Sequence, residues 1–269
     1  MTALTRAEVS QWVDAAHARW ARGLEFRELR RGAQAVSDVY VHKRKAGGLA
    51  ERAVDGRGKR AAFVVYFGGL HLLLVQDWMS GQAPPTVDRI LDVGCGPGVV
   101  GAAAARWCGG VRLHASDRVG RHLEVAAWTA RQLGVKARTS KATLPTVLES
   151  ARPSSLVTLG WVLNELPSAD RDATFSMLVR VVRKGAGALI FAPLSLRASP
   201  WWPELARTLR RATTEPLHET EHRFQPERPS LIADLDRATR LNHATMGARV
   251  MYVAPSRDSS RARASGSPG

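Results

Sequence analysis

The sequence predicts an α/β fold in which a mostly parallel sheet is preceded by a helical N-terminal region. From residue 89 onward, short apolar runs alternate with segments of helix length. This alternation is typical of βαβ units, whose strands run parallel in one sheet. The first run leads through a glycine-rich loop into a helix, an arrangement typical of ligand-binding sheets. Before residue 84, apolar side chains recur at helical spacing instead.

The apolar runs predict the strands, and the segments between them predict the helices. Strands are expected at residues 89–93, 111–116, 135–138, 155–160, 188–192 and 249–253. Helices are expected at residues 99–107, 121–133, 142–150, 171–182 and 202–212. Helices on both faces of the sheet would give a three-layer sandwich.

Three segments of different composition divide the chain. Residues 1–83 predict helices at about 6–22, 26–43 and 61–79, ending in the turn-forming stretch 80–85. Residues 84–255 form the predicted sheet domain. Residues 256–269 are rich in serine, arginine and glycine. We expect this tail to be disordered, because it offers little apolar surface to bury.

The 269-residue chain is strongly basic, with a formal net charge of +15. An excess of this size suits an RNA or another anionic partner. Arginine supplies 33 of the 39 basic residues, however, and a GC-rich genome produces arginine-rich proteins without any binding function. The excess is spread evenly along the chain, and the densest block is Lys43-Arg44-Lys45. Both interpretations stay open.

Neither a membrane nor a metal is expected as a partner. The longest apolar run, residues 61–75, is too short to span a bilayer and is interrupted by Gly68, Gly69 and His71. The N-terminus lacks the pattern of a signal peptide, so we expect a cytoplasmic protein. Cys95 and Cys108 cannot form a zinc site alone, and no histidine pair stands at metal-binding spacing beside them.

The strongest functional signal is the segment Ile90-Leu91-Asp92-Val93-Gly94-Cys95-Gly96-Pro97-Gly98. An apolar strand ends with an acid, glycines then alternate, and a helix begins at Val99. Glycines let the backbone turn tightly and approach a ligand, and a helix N-terminus presents free N–H groups. The candidate ligand-binding residues here are Asp92, Gly94, Cys95, Gly96 and Gly98.

A second acid ends the next predicted strand. Asp117 lies 19 residues beyond Gly98, where a carboxylate can accept hydrogen bonds from both hydroxyls of a ribose. A lone aspartate at a strand end is otherwise usually a turn or helix cap. The register with the glycine loop favours the ribose interpretation, and the neighbouring Arg118 joins the candidate site.

On these motifs, residues 86–195 resemble the class I S-adenosylmethionine (SAM)-dependent methyltransferase superfamily. The resemblance implies a Rossmann-like sandwich with a seven-stranded sheet, SAM as cofactor and methyl transfer as the activity. Asp92 would reach the ammonium group of SAM directly or through water, and glycine N–H groups would serve its methionine tail. Many members place an acid after the third strand to bind adenine. This chain has none there, and Thr139 or Ser140 would replace it.

The fourth predicted strand ends in Gly160-Trp161-Val162-Leu163-Asn164-Glu165, where the superfamily borders the transferring methyl group. We predict that Trp161 borders the cofactor and that Asn164 and Glu165 contact the acceptor. Alternatively, Asn164 caps the next helix and Glu165 is solvated. A general base is optional, because positioning the reactants can lower the barrier by roughly 7–11 kcal/mol.

The acceptor is not identified by the sequence. The segments Leu29-Arg30-Arg31-Gly32 and Gly58-Lys59-Arg60-Ala61 resemble uncharacterised bacterial methyltransferases with a helical leader, and more distantly the methyltransferase-like proteins of the mitochondrial small ribosomal subunit. RNA, most plausibly ribosomal, is therefore the first expected acceptor, and a small molecule is the alternative. A third hypothesis is a non-catalytic SAM-binding ribosome-assembly factor. An RNA acceptor predicts a basic surface beside the cleft, whereas a small-molecule acceptor predicts a closed apolar pocket. The pair Trp201-Trp202 is either a base-stacking platform or part of the core.

Overall fold

A computed structural model of the protein describes residues 3–42 and 54–256, with the backbone alone for residues 40–42. Two sequence predictions fall outside the described residues. They are the basic block Lys43-Arg44-Lys45 and the disordered tail from residue 257 onward.

A seven-stranded sheet forms the centre of the structure, as the resemblance implied. Its strands are β1 (Arg89–Val93), β2 (Arg112–Asp117), β3 (Ala137–Lys141), β4 (Ser155–Gly160), β5 (Gly187–Ala192), β6 (Leu217–Phe224) and β7 (Met246–Val253). The spatial order is β3-β2-β1-β4-β5-β7-β6. Strands β1 to β5 run parallel, and β7 runs antiparallel to both β5 and β6. The predicted Rossmann-like α/β class is therefore confirmed.

Helices cover both faces of the sheet. In chain order they are α1 (Arg6–Trp20), α2 (Phe26–His42), α3 (Arg57–Ala62), α4 (Gly68–Ser80), α5 (Val99–Trp107), α6 (Gly120–Gln132), α7 (Leu144–Leu148), α8 (Ser168–Arg183), α9 (Trp202–Ala212) and α10 (Ser230–Thr239). A π-helical turn, Phe63–Phe67, joins α3 to α4. Alternate strand residues point to opposite faces, so Ile90 and Leu113 pack with the N-terminal helices while Leu91 and Val157 pack with α7, α8 and α9.

The N-terminal helices share a core with the sheet. Trp12 of α1, Leu72 of α4 and Ala103 of α5 belong to one buried cluster. The continuous helical run Arg57–Ser80 is long and apolar enough to cross a membrane, yet 83% of its most apolar window is buried inside the protein. It is therefore packed as a core helix. At the predicted boundary after residue 83 the chain changes from helices to alternating strands and helices, while both parts contribute to the same hydrophobic core.

Two elements of the structure were not predicted from the sequence. Strand β6 is mostly exposed and carries charged residues along Leu217–Phe224, so it has no apolar run to signal it. It pairs with β7, whose strand begins at Met246, earlier than expected. Helix α10 follows β6 along the chain and buries Ile232 and Leu235 against the N-terminal region.

Helices α2 and α3 meet at two glycines. A Cβ atom at Gly32 would lie 2.3 Å from the carbonyl oxygen of Gly58, a distance that no real packing allows. A Cβ at Gly58 would meet only the carbonyl oxygen of Glu28, at 3.4 Å. Gly32 thus lets the two backbones touch, whereas Gly58 has room for a methyl group.

We expect Gly32→Ala to destabilise the protein by about 1–3 kcal/mol, because the added methyl must force the helices apart. Gly58→Ala is the matched control and should leave the melting temperature unchanged or raise it, since alanine is the better helix former. Thermal unfolding of both variants by circular dichroism checks this pair. Equal melting temperatures would contradict the packing described here.

Candidate active site

A cavity of about 270 Å³ opens where the parallel strands end. The carboxyl ends of β1, β2 and β4 form one side of it, at the crevice where open α/β sheets bind ligands. The N-terminal helices form the other side. The lining comprises Ser37, Phe63, Phe67, His71, Gly94, Cys95, Gly96, Pro97, Val99, Val100, Asp117, Arg118, His122, Leu144, Gly160, Trp161, Val162, Asn164, Glu165, Leu166 and Pro193.

The three glycines of the loop after β1 all have positive φ angles, but the space around their Cβ positions differs. A Cβ at Gly94 would lie 2.4 Å from Val162, and a Cβ at Gly98 would lie 2.7 Å from Ala126. A Cβ at Gly96 would instead meet only the Phe63 ring, at an ordinary 3.6 Å. Gly96 therefore borders open cavity. Gly98 does not line the cavity, although the sequence assigned it to the cofactor, because it is packed against α6.

The loop N–H groups are largely occupied within the protein. Those of Gly94 and Cys95 donate to the Ser116 carbonyl at 2.9 Å, and that of Gly96 donates to the Asp117 carboxylate at 3.0 Å. The predicted role of glycine N–H groups at the methionine tail is thus not supported by these bonds. The first N–H groups of α5 precede its first intrahelical bond, and Val99 and Val100 both line the cavity.

Asp92 is a buried structural carboxylate and does not line the cavity. It is 1% exposed and accepts hydrogen bonds from the Gly101 N–H at 3.2 Å and the Thr158 hydroxyl at 2.8 Å. Burial raises the pKa of Asp92 to about 7, although both hydrogen bonds act to lower it. The sequence placed Asp92 on the cofactor ammonium; in the structure it joins β1 to α5 and β4 instead.

Asp117 lies at the cavity wall with its carboxylate held in place. One oxygen accepts from the Gly96 N–H, and the other accepts from the Val119 N–H at 2.8 Å. His122 Nδ1 lies 3.2 Å from the first oxygen. Burial by itself raises the pKa of Asp117, but His122 and the two N–H groups outweigh it, so the pKa lies below its usual range. A carboxylate has about four acceptor positions, so this ionised group keeps capacity for ligand hydroxyls.

Of the remaining predicted residues, Ser140 alone lies away from the cavity. Its hydroxyl is 2.7 Å from His114 Nε2, and in β3 it pairs with Ser116. Cys95 and Arg118 line the cavity, and burial raises the pKa of the Cys95 thiol well above its ordinary value. Asn164 and Glu165, which the sequence predicted to contact the methyl acceptor, line the cavity as well.

The turn after β4 brings Trp161, Asn164 and Glu165 into the cavity. Trp161 has a left-handed backbone (φ 57°), and its N–H donates to the Phe191 carbonyl at 2.8 Å. A short 3₁₀ turn, Val162–Asn164, follows. The Asn164 Oδ1 atom is buried and has no hydrogen-bond partner among the described residues. Such an atom needs a partner, because an unpaired buried oxygen costs about 1–3 kcal/mol.

The sequence did not predict the wall formed by Phe63, Phe67 and His71. These residues stand four apart across the π-helical turn and α4, so they share one face. An apolar helix of this kind is normally a core helix, and it is one on its other faces. The available signal was His71, a polar residue within the apolar run 61–75.

These features fit SAM. Space at Gly96, unpaired acceptor capacity at Asp117 and the orphan oxygen of Asn164 lie around one cavity. Asp117 and Glu165 supply negative charge for a cationic molecule. Among residues 3–42 and 54–256, no group of three or more His, Cys, Asp or Glu side chains could hold a metal ion.

The buried Asp92 makes stability depend on pH in a defined direction. Its pKa is about 7 in the folded protein against 3.8 for a free carboxyl. Between these values the folded protein binds a proton that the unfolded chain releases, so stability falls as pH rises through this window. Asparagine does not titrate. We therefore expect the melting temperature of Asp92→Asn, relative to the parent, to be higher at about pH 8 than at about pH 5.

Differential scanning calorimetry at both pH values measures this change. Asp88→Asn, at an exposed neighbouring position, is the control for the loss of one carboxylate. A pH-independent difference for Asp92→Asn would mean that Asp92 titrates like a solvated carboxylate.

Part of the chain is similar to known methyltransferases. Residues 90–185 match the family model of a methyltransferase domain. No curated protein matches the chain. The fold is similar to magnesium protoporphyrin IX methyltransferase from Synechocystis with bound SAM, at 15% identity over 82% of this chain and 97% of the other, with a TM-score of 0.47.

Two further solved structures are similar at comparable levels. An N-methyltransferase from Bradyrhizobium japonicum in complex with S-adenosyl-L-homocysteine is 14% identical over 84% of this chain and 99% of its own, with a TM-score of 0.43. A TehB-like SAM-dependent methyltransferase from Corynebacterium glutamicum is 16% identical over 69% and 88%, with a TM-score of 0.43. Likenesses this remote do not transfer a substrate. Residues 90–185 form a methyltransferase domain, so the protein is an enzyme.

Proposed function

We propose that this enzyme methylates a compact small molecule within the cavity beneath the N-terminal helices. The observation that carries the proposal is the wall made by Phe63, Phe67 and His71, which closes the cavity opposite the glycine loop. SAM supplies an electrophilic methyl group on a sulfonium sulfur. Ligand sites for small molecules are concave and mostly apolar with a few placed polar groups, which is the character of this lining.

Each side of the cavity has a distinct role in this proposal. Asp117 accepts hydrogen bonds from the ribose hydroxyls, and the loop at Gly96 leaves room for the cofactor. Asn164 and Glu165 face the acceptor from the turn after β4. Phe67 and Trp161 give the acceptor apolar and aromatic surface.

Charge around the cavity favours a small molecule over RNA. Arg118 is the only arginine or lysine among the described lining residues, and Asp117 and Glu165 offset it. A concentration of basic side chains does occur elsewhere, with Arg89, Arg112 and Arg138 around a surface groove. These residues stand at the amino ends of β1, β2 and β3, whereas the cavity is at the carboxyl ends. Phosphate contacts there would hold RNA at the wrong end of the sheet.

The predicted base-stacking pair, Trp201 and Trp202, is not exposed to RNA bases. Trp201 and Trp202 are 6% and 3% exposed and pack into the core cluster of α8 and α9. Stacking on single-stranded bases requires exposed rings. The core interpretation of this pair is thus confirmed.

The proposal predicts which cell fraction acquires a methyl group. The protein is incubated with methyl-tritiated SAM and, separately, with cell RNA and with a small-molecule extract. Label is expected in the small-molecule fraction, and it should be absent when the Gly96→Val variant replaces the parent. Label in RNA alone would overturn the small-molecule acceptor while leaving the methyltransferase assignment in place.

We expect Gly96→Val to weaken SAM binding at least about tenfold, or ~1.4 kcal/mol, since its side chain would enter the cofactor space. Gly109→Val is the matched control, because Gly109 also has a positive φ (88°) but nothing lies within 4 Å of its Cβ position. Backbone strain is common to both variants, whereas cavity filling is not. Isothermal titration calorimetry with SAM distinguishes them, and equal affinities would remove Gly96 from the binding site.

A further inference from the structure

One histidine of the cavity wall lacks a hydrogen-bond partner among the described residues. His71 lines the wall contributed by α4, and neither of its ring nitrogens hydrogen-bonds to any residue that the structure describes. Its ring lies flat on the Trp161 indole, with centroids 3.8 Å apart and planes at 7°. Trp161 stacks in turn on Phe191 at 5.5 Å. The side chain of His71 is partly exposed at the cavity, so a molecule bound there can reach its ring.

The helix that carries His71 is fixed on its other faces. A Cβ at Gly68 would lie 3.1 Å from Trp12, and a Cβ at Gly69 would lie 3.0 Å from Ile232. The π-helical turn before α4 ends with the Gly68 N–H bonded to the Phe63 carbonyl, five residues back. π-turns inside α-helices frequently occur at functional sites. The imidazole is therefore held at the cavity wall by the core and by its stack on Trp161.

The surroundings of His71 keep it uncharged. Burial lowers the pKa of His71 to about 3, and the nearby His243 contributes in the same direction. His243 is itself anchored, with Nδ1 2.8 Å from Asp236 Oδ1, the carboxylate oxygen that also accepts from Tyr66 at 2.7 Å. Arg228 binds the other Asp236 oxygen at 2.5 Å. At neutral pH the ring of His71 consequently carries one nitrogen lone pair and one N–H.

We propose that His71 is a catalytic residue that accepts the proton of an acceptor hydroxyl, so that the enzyme is an O-methyltransferase. This proposal rests on the small-molecule function proposed above. As the hydroxyl oxygen forms its bond to the methyl carbon, the S–C bond breaks and its electron pair stays on sulfur. The hydroxyl proton passes to the His71 lone pair and is later released to solvent.

The chemistry of the acceptor explains why a weakly basic imidazole suffices. An oxygen that attacks with its proton in place becomes a strongly acidic oxonium, which transfers that proton readily even to a weak base. An alkylammonium, by contrast, must lose its proton before its nitrogen can attack, and an imidazole as weakly basic as His71 does not take that proton. The position of an uncharged imidazole beside Trp161 therefore favours oxygen over nitrogen as the methylated atom.

The binding test uses two probes of equal shape, phenol and toluene, with the full chain saturated with S-adenosylhomocysteine and labelled with ¹⁵N-histidine. Phenol is expected to shift the ring resonances of one histidine, which disappears in His71→Phe, and toluene is expected to shift none. His71→Phe keeps an aromatic ring against Trp161 but has no nitrogen. It should bind phenol about tenfold more weakly and toluene within about twofold of the parent.

His17→Phe, at an exposed position on α1, is the matched control and should bind both probes like the parent. Phenol that leaves the His71 resonances unshifted, or that binds His71→Phe as well as the parent, overturns the proposal. These outcomes do not depend on which cell fraction acquires label, so failure of this role and failure of the small-molecule function are distinguishable.

Turnover provides the second test. With ¹³C-methyl SAM and the labelled small-molecule fraction, the carbon shift of the product identifies the atom that carries the methyl group. An O-methyl product is expected, with kcat lowered at least about 100-fold in His71→Phe and SAM affinity unchanged. An N-methyl product, or an unaltered kcat in the variant, overturns the proposal.

Discussion

The buried carboxylate of Asp92 is the contact on which the geometry of the site depends. It binds the first turn of α5 through Gly101 and the neighbouring strand β4 through Thr158. A Cβ at Gly101 would lie 2.5 Å from this carboxylate, so the helix can approach only because a glycine stands there. These bonds set the start of α5 relative to two strands, and the glycine loop is the short connection between them. An acid held by hydrogen bonds at 1% exposure is costly to bury, and that cost is offset by the position it gives the loop.

The second constraint comes from the N-terminal helices, which contribute to the core and to the site at once. Helix α4 packs against α1 and α10 through Gly68 and Gly69, while Phe67 of the π-helical turn and His71 of α4 line the cavity. Because α4 is packed in the core, a movement of this helix that widened the cavity would also expose apolar surface. Under the proposed function, the acceptor space is therefore bounded by residues that also stabilise the fold, and this wall is built from helices that precede the methyltransferase domain in sequence.

The cofactor side of the site was largely predictable from the sequence because its parts are local. Gly94, Cys95, Gly96, Asp117 and Arg118 follow directly from two strand ends, and the turn after β4 supplied Trp161, Asn164 and Glu165. Ser140 lies away from the cavity because the register of β3 turns its hydroxyl to His114, a detail that no motif encodes. Asp92 was placed on the ligand because its motif does not say on which side of the loop the carboxylate lies. The opposite wall could not be read at all, since Phe63 and Phe67 have the pattern of core residues and meet the loop only through tertiary packing.

The described residues that line the cavity include acids, although the chain as a whole is strongly basic. The net formal charge of the protein is +15, yet the described lining of the cavity holds the ionised Asp117 and the acid Glu165 beside one basic residue, Arg118, with His71 uncharged. A cationic sulfonium is favoured by this local balance and not by the surrounding excess, because opposite charges within a few ångströms outweigh distant ones screened by salt. Net charge therefore says little about the acceptor in this protein. Under the proposed function, the acceptor instead meets the groups at the cavity wall: an aromatic face, the Asn164 Oδ1 atom, which has no partner among the described residues, and the imidazole of His71.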